Sequence, residues 1–207
     1  MFPRDARIYP ITDVRLSGLS HSEQTRRLIE GGARIIQLRE KHLPAREFYS
    51  EAVEALTIAR EHGVKIVIND RVDIALAADA DGVHLGQDDL SPAAARQLLG
   101  PAKLLGFSTH NQKQALDATR MPIDYLAIGP IFPTSSKTDA HPPVGLDNLR
   151  EIRKAVGKIP LVAIGGIDER NAAEVIGAGA DCLAVIGALL KNPDEIASST
   201  RNLLLAI

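Results

Sequence analysis

Short apolar runs rich in Ile, Val and Leu recur along the whole chain, at residues 8–11, 34–38, 65–68, 82–85, 103–107, 124–128, 161–164 and 181–185. Few of them alternate with polar residues, so they suit strands covered on both faces rather than half-exposed antiparallel strands. The segments between them carry helical spacing. Ala52, Ala55, Leu56 and Ala59 fall on one face, as do Ala172, Val175 and Ile176. Ser91-Pro92 and Asn192-Pro193 each pair an N-cap residue with proline at the first helical position, and Asp168 is placed to cap the helix after Ile167. Gly63, Gly100, Gly177 and Gly179 sit where helices should stop.

Eight strands and eight helices share 207 residues, about 26 per unit. The expectation is an α/β fold, a closed (β/α)8 barrel with short loops, built as one domain over residues 1–207. A doubly wound open sheet is the alternative, but no GxGxxG follows the first strand. Barrel chemistry sits on the loops that follow the strands, and the unusual polar residues cluster there.

After the second strand comes Gln37-Leu38-Arg39-Glu40-Lys41. Alternation points Gln37, Arg39 and Lys41 the same way, and with Leu38 packed outward they face the barrel mouth. Two cations and an amide on one inward stripe call for an anion; the bland alternative is a surface stripe paired with Glu40 and Glu47. The third strand ends in Asn69-Asp70 and the fourth in His84-Leu85-Gly86-Gln87-Asp88-Asp89. Read singly, Asp70 and Asp89 are helix caps. Together, on neighbouring strand ends beside the cationic stripe, they point to Mg²⁺, which takes one or two carboxylates plus water and substrate phosphate.

Ser108-Thr109-His110-Asn111 ends the fifth strand, where small hydroxyls either bind phosphate or cap a helix. His110 reads as structural, and His21, His42, His62 and His141 carry no signal. The sixth strand leads into Gly129-Pro130-Ile131-Phe132-Pro133-Thr134-Ser135-Ser136-Lys137, phosphate-binding in its chemistry though not in P-loop spacing. From there to Gly145 runs a long loop of the kind that serves as a lid. Gly165-Gly166 and Ile186-Gly187 end strands seven and eight, the recurrent phosphate position of this fold; tight turns alone would also use glycine there.

Net charge is -2, with 24 Lys and Arg against 26 Asp and Glu, which excludes a general nucleic-acid grip but not a local cationic pocket. No apolar run reaches the roughly 18–20 residues of a membrane span. The first eleven residues hold Pro3, Arg4, Asp5 and Arg7 without an apolar signal core, so a cytoplasmic protein is expected. The single cysteine, Cys182, excludes a disulfide framework and reads as a buried small apolar residue. Aromatics make up 3% of the chain and tryptophan is absent, so the site does not rest on an aromatic cage.

The mouth therefore offers two anion sites. Arg39, Lys41, Lys137 and a metal suit a pyrophosphate; hydroxyls and backbone amides suit a phosphate monoester. Two phosphorylated substrates follow. No nucleophile–base pair accompanies them, so positioning and charge stabilisation without a covalent enzyme intermediate fit best.

In order and spacing, these motifs resemble the thiamine-phosphate synthase family, from Tyr9-Pro10-Ile11-Thr12-Asp13 through Ile68-Asn69-Asp70-Arg71 and Ala163-Ile164-Gly165-Gly166-Ile167 to Ala184-Val185-Ile186. The resemblance implies a barrel enzyme that joins a hydroxymethylpyrimidine pyrophosphate to a thiazole phosphate, releasing pyrophosphate, and CO2 when the thiazole is carboxylated. It implies a dissociative mechanism with Mg²⁺ on Asp70 and Asp89. Gln37, Leu38, Arg39, Glu40, Lys41, Asn69, Ser108 and Lys137 would bind the pyrimidine pyrophosphate, with Arg39, Lys41, Ser108 and Lys137 the catalytic groups. Thr134, Ser135, Ser136, Gly165, Gly166, Ile186 and Gly187 would hold the thiazole phosphate. Two positions depart from the family: Ser136 stands for the usual Thr, and Gly187 for the usual Ser, which removes one hydroxyl from the phosphate site. The partners expected are two phosphorylated small molecules, with no nucleic acid and no membrane, and a homo-oligomer is compatible. The rival readings are a thiazole tautomerase on the same fold, a phosphosugar isomerase, and a non-catalytic binder of thiamine precursors.

Overall fold

The computed structural model describes residues 2–134 and 141–207. Ser135, Ser136 and Lys137, expected in the mouth, lie outside the described residues. Eight strands form one all-parallel sheet: β1 (Ile8–Pro10), β2 (Ile35–Leu38), β3 (Lys65–Asn69), β4 (Gly82–Leu85), β5 (Leu104–Thr109), β6 (Tyr125–Ile128), β7 (Leu161–Ile164) and β8 (Cys182–Val185). From β2 to β8 each pairs with its sequence neighbour, and β1 pairs with β8. The ring closes between β1 and β2 through a parallel bridge of Ile11 with Gln37, where the Thr12 N–H donates to the Gln37 carbonyl at 2.9 Å. The (β/α)8 barrel expected from the apolar runs is the fold observed.

Almost every strand residue is buried, as the missing alternation required. One face of each strand meets the helix layer and the other fills the barrel. β5 runs two residues further than expected, so Ser108 and Thr109 are strand residues rather than loop. The barrel interior holds three of the chain's few aromatics. Phe2 packs against Tyr125 with ring centroids 4.7 Å apart, and Tyr9 meets Tyr125 edge-on at 5.9 Å. Each of these rings gains roughly 1.5–3 kcal/mol from burial.

The described residues carry ten α-helices, not eight: α1 (Val14–Ser17), α2 (His21–Glu30), α3 (Ala45–Glu61), α4 (Val72–Ala77), α5 (Pro92–Leu99), α6 (Gln112–Ala118), α7 (Gly145–Val156), α8 (Ala172–Gly177), α9 (Gly187–Leu190) and α10 (Ile196–Leu205). The surplus comes from single turns, α1 and α9, wound into the loops after β1 and β8. None of the helices is long and apolar enough to cross a membrane. α3 buries Ala52, Ala55, Leu56 and Ala59 as its spacing demanded, with Phe48 one turn earlier.

Ser91 caps α5 through its hydroxyl. Two other expected caps are not made. Asn192-Pro193 opens a 3-10 turn, Pro193–Glu195, without a side-chain cap, and the helix proper starts at Ile196. Asp168 accepts from the Arg170 N–H and ties its own loop, while α8 begins at Ala172.

Candidate active site

Among the described residues, the C-terminal mouth of the barrel divides into a charged half and a half built from glycine backbone, the neutral half, where Asp168 and Arg170 of the β7 loop pair with each other. In the charged half, Arg39 Nη1 donates to Asp13 Oδ2 at 3.2 Å, and Lys41 Nζ donates to Asp70 Oδ2. These pairings replace the Glu40 and Glu47 partners that a surface stripe would have used. Asp70 has φ +61, a left-handed backbone that a non-glycine residue rarely adopts, and the N-cap position of α4 belongs to Arg71. Asp70 is therefore not a helix cap. Asp89 is not one either: its Oδ2 accepts from the Gly86 N–H at 2.7 Å, and Ser91 caps the helix that follows.

Burial pushes the Asp70 carboxyl above its ordinary range; Lys41 opposes that rise and the neighbouring Asp89 carboxyl adds to it. Two neighbouring carboxylates repel when both are ionised, and a divalent cation held by both removes that cost. The donors are all oxygen, the choice of a hard cation. Among the described residues no group of three or more His, Cys, Asp or Glu side chains converges. Two carboxylates with substrate oxygens completing the shell is the pattern that fits Mg²⁺. Asn69, the last residue of β3, is buried beside Asp70.

Glu40 does not face the mouth with its side chain. Its Oε1 accepts from the backbone N–H groups of Lys41 (2.7 Å), His42 (2.6 Å) and Leu43 (3.1 Å). Its Oε2 lies 3.3 Å from His21 Nε2, and His21 Nδ1 lies 2.7 Å from Thr12 Oγ1. That same Thr12 hydroxyl donates to the Gln37 carbonyl and accepts from the Arg39 N–H. The arrangement clamps the loop that carries Arg39 and Lys41. Burial would raise the Glu40 carboxyl, but the N–H groups of His42 and Leu43, together with His21, hold it below its ordinary range. Burial pushes the His21 imidazole down against the opposing pull of Glu40, Glu51 and Asp13. His21 carried no signal in the sequence because its partners come from three separate elements. Leu38 is fully buried, and alternation with Gln37 turns it toward the helix layer, which leaves its backbone alone to meet a ligand.

Below the charged half, a chain of hydrogen bonds crosses the barrel. Gln37 Nε2 donates to Tyr9 Oη at 3.1 Å; Tyr9 Oη and Tyr125 Oη are 2.9 Å apart. Tyr125 Oη is 3.0 Å from His84 Nδ1, and His84 Nε2 is 2.8 Å from Ser108 Oγ. Burial raises both phenols far above their ordinary range, so both keep their hydrogens. Gly106 makes the His84–Tyr125 contact sterically feasible. It sits between the two in register on β5, and a Cβ there would lie 2.0 Å from Tyr125 Cζ. The sequence reading placed Gln37 and Ser108 in the mouth but missed Tyr9, His84, Gly106 and Tyr125 as the links between them.

Other candidates in this region are accounted for by structure. Thr109 Oγ1 donates to the Ala127 carbonyl inside the core. Asn111 caps α6. His110 Nδ1 is 2.7 Å from the Gly129 carbonyl oxygen, and its ring stacks on His141 at 4.0 Å.

The neutral half is built from the loops after β6, β7 and β8. The N–H of Ile131 donates to the Ile164 carbonyl and that of Phe132 to the Gly165 carbonyl, zipping the Pro130–Pro133 stretch to the end of β7. Gly165 and Gly166 have φ +101 and +68, and a Cβ on either would fall 2.5–2.7 Å from Pro130 or Phe132. Only glycine allows this approach. Thr134 ends the described part of the β6 loop, and Ile186-Gly187 turns from β8 into α9. Thr134, Gly165, Gly166, Ile186 and Gly187 thus occupy the loops on the side of the mouth away from Asp70 and Asp89.

The thiamine monophosphate synthase family model matches residues 8–189. A thiamine-phosphate synthase of Chloroflexus aurantiacus is 51% identical over 200 residues, covering 96% of this chain and 91% of that one. One from Methanospirillum hungatei is 46% identical, covering 95% and 96%. The solved structure of thiamine phosphate pyrophosphorylase from Pyrococcus furiosus superposes with a TM-score of 0.88 at 39% identity, covering 98% and 96%. With the barrel, the paired aspartates and the glycine-built neutral half in place, these matches decide the assignment: the chain belongs to the thiamine monophosphate synthase family and is a transferase.

Proposed function

We propose that the enzyme condenses 4-amino-2-methyl-5-(diphosphooxymethyl)pyrimidine with hydroxyethylthiazole phosphate, plain or carboxylated, to give thiamine phosphate and pyrophosphate, with CO2 as a further product from the carboxylated form. The observation that carries this reading is the division of the mouth. Asp70, Asp89, Arg39 and Lys41 gather on one side, and glycine backbone builds the other.

The charged half takes the pyrophosphate. Arg39 and Lys41 offer cations held in place by the Glu40 clamp, Ser108 offers a hydroxyl and Gln37 an amide edge suited to an aminopyrimidine. Asp70 and Asp89 would hold Mg²⁺, which when bound neutralises charge on the leaving pyrophosphate. Lys137, in the β6 loop by sequence, would contribute its charge to the pyrophosphate by the family pattern. The neutral half takes the thiazole phosphate on Thr134, Ser135, Ser136 and the backbone of Gly165, Gly166, Ile186 and Gly187.

The reaction is dissociative. The methylene C–O bond breaks and its electron pair leaves with pyrophosphate; the pyrimidinylmethyl cation is then captured by the thiazole nitrogen lone pair. No side chain is alkylated. Arg39, Lys41 and Ser108 stabilise the departing oxygens, and the barrel mouth holds the nitrogen in line with the carbon.

The test is an end-point assay with both phosphorylated substrates and Mg²⁺, with and without EDTA, reading thiamine phosphate as its fluorescent thiochrome. Product that disappears with EDTA supports the reading. Absence of product from folded protein that still binds either precursor shifts it to the tautomerase or to a non-catalytic binder.

A further inference from the structure

The chain of hydrogen bonds beneath the mouth has a direction. Among the described residues, Tyr9 Oη meets two partners, Gln37 Nε2 and Tyr125 Oη. An amide nitrogen only donates, so Tyr9 accepts from Gln37 and its own hydrogen goes to Tyr125. Tyr125 then has one hydrogen left to place, and His84 Nδ1 is 3.0 Å away. With Nδ1 accepting, the imidazole carries its hydrogen on Nε2 and donates it to Ser108 Oγ at 2.8 Å. The opposite tautomer would donate to Tyr125, turn that hydroxyl toward Tyr9, and leave the Tyr9 hydrogen without an acceptor among the described residues.

The geometry points to Tyr125 as a positioning residue for Ser108: through His84 it fixes the imidazole tautomer, so that Ser108 Oγ accepts from below and aims its own hydrogen out of the barrel into the charged half of the mouth. Tyr125 itself is fully buried beneath the mouth. Its influence on the reaction passes through two side chains. The value of the aimed hydroxyl rests on the proposed reaction, in which a pyrophosphate oxygen gains charge on that side of the mouth. A hydroxyl already oriented toward that oxygen needs no reorganisation as charge develops.

Gly106 belongs to the same device. His84, Gly106 and Tyr125 are register partners on β4, β5 and β6, and the absent side chain on the middle strand lets the outer two reach each other. The residues sit far apart in sequence, which explains why nothing in the local pattern announced them.

The experiment combines the tautomer with kinetics. The ring nitrogens of His84 in ¹⁵N-labelled full-length protein are assigned by their loss in His84→Gln. In wild type the hydrogen is expected on Nε2; a hydrogen on Nδ1 overturns the proposal. In Tyr125→Phe, which keeps the ring and removes the hydroxyl, the single tautomer is expected to give way to a mixture. The kcat should fall roughly tenfold, the size of one lost neutral hydrogen bond, with the KM for the pyrimidine pyrophosphate within about twofold. An unchanged tautomer and kcat overturn it. Because Tyr125 acts through Ser108, the double variant with Ser108→Ala should lose no more than Ser108→Ala alone; additive losses mean a general structural role and overturn the proposal. The wild-type tautomer is read without substrate, so it judges the hydrogen-bond direction even where the thiochrome assay goes against the proposed reaction.

Discussion

Lys41 donates from Nζ to Oδ2 of Asp70, joining the loop after β2 to the neighbouring loop after β3 at the barrel mouth. The same carboxyl also feels the neighbouring Asp89 carboxyl, which pushes its pKa up. Under the proposed function, an ammonium and a divalent cation therefore contend for one site. Lys41→Met should tighten Mn²⁺ binding to the substrate-free enzyme by roughly two- to fivefold, the worth of a part-exposed ion pair. Turnover should fall by more than about tenfold, because a charge facing the leaving pyrophosphate is gone. Calorimetric titration with Mn²⁺ reads the first effect and the thiochrome assay the second. Metal affinity that stays put would detach Lys41 from the carboxylate pair.

The Glu40 clamp yields a stability prediction with a sign. The His21 imidazole has a folded-state pKa below its unfolded value near 6.5, so its contribution is fully present above that value and is lost as pH falls below it. Glu40 is also depressed, so its contribution stands above its unfolded value near 4.3 and fades as pH falls through the folded one. Unfolding free energy should drop as pH is lowered from 7 to 4, and His21→Gln should flatten the upper part of that slope. Glu40→Ala leaves three loop N–H groups without their acceptor and should cost about 1–2 kcal/mol. It should also raise the KM for the pyrimidine pyrophosphate, since Arg39 and Lys41 ride on that loop. Denaturant titrations at several pH values, paired with kinetics, test both parts. A Glu40→Ala enzyme with native KM would reduce the clamp to a feature of stability alone.

The strands were legible because residues such as Ile66, Val67 and Ile68 are buried on both faces and leave an unbroken apolar run. Asp70 and Asp89 were legible as a pair because parallel barrel topology brings consecutive strand ends side by side. What the sequence hid was long-range pairing. Tyr9 and Tyr125 are 116 residues apart, and each reads locally as one more apolar strand residue. His21 lies in an ordinary helix start, and its role exists only once Thr12 and Glu40 converge on it. Gly106 reads as a weak point in a strand until Tyr125 is laid beside it. The missed Asn192 cap has a local cause: the chain turns through Pro193–Glu195 before α10 starts, so the cap signal lies four residues ahead of the helix.

Gly166 separates backbone strain from steric demand in the neutral half. Its φ of +68 nearly equals the +66 of Gly63, which precedes β3 at the opposite end of the barrel. A Cβ on Gly63 meets nothing within 4 Å, whereas one on Gly166 would fall 2.7 Å from both Phe132 Cβ and the Pro133 carbonyl oxygen. Gly63→Ala should therefore cost only the left-handed penalty, about 1 kcal/mol, with native kinetics. Gly166→Ala carries the same penalty and must also push the β6 loop away, adding about 1–3 kcal/mol. That displacement moves Thr134 and the loop backbone proposed to hold the thiazole phosphate. Its KM should rise at least several-fold while the KM for the pyrimidine pyrophosphate holds. Measuring both constants for both variants, alongside their melting curves, isolates the effect. A Gly166→Ala enzyme that loses affinity for the pyrimidine pyrophosphate instead would mean the two halves of the mouth are assigned to the wrong substrates.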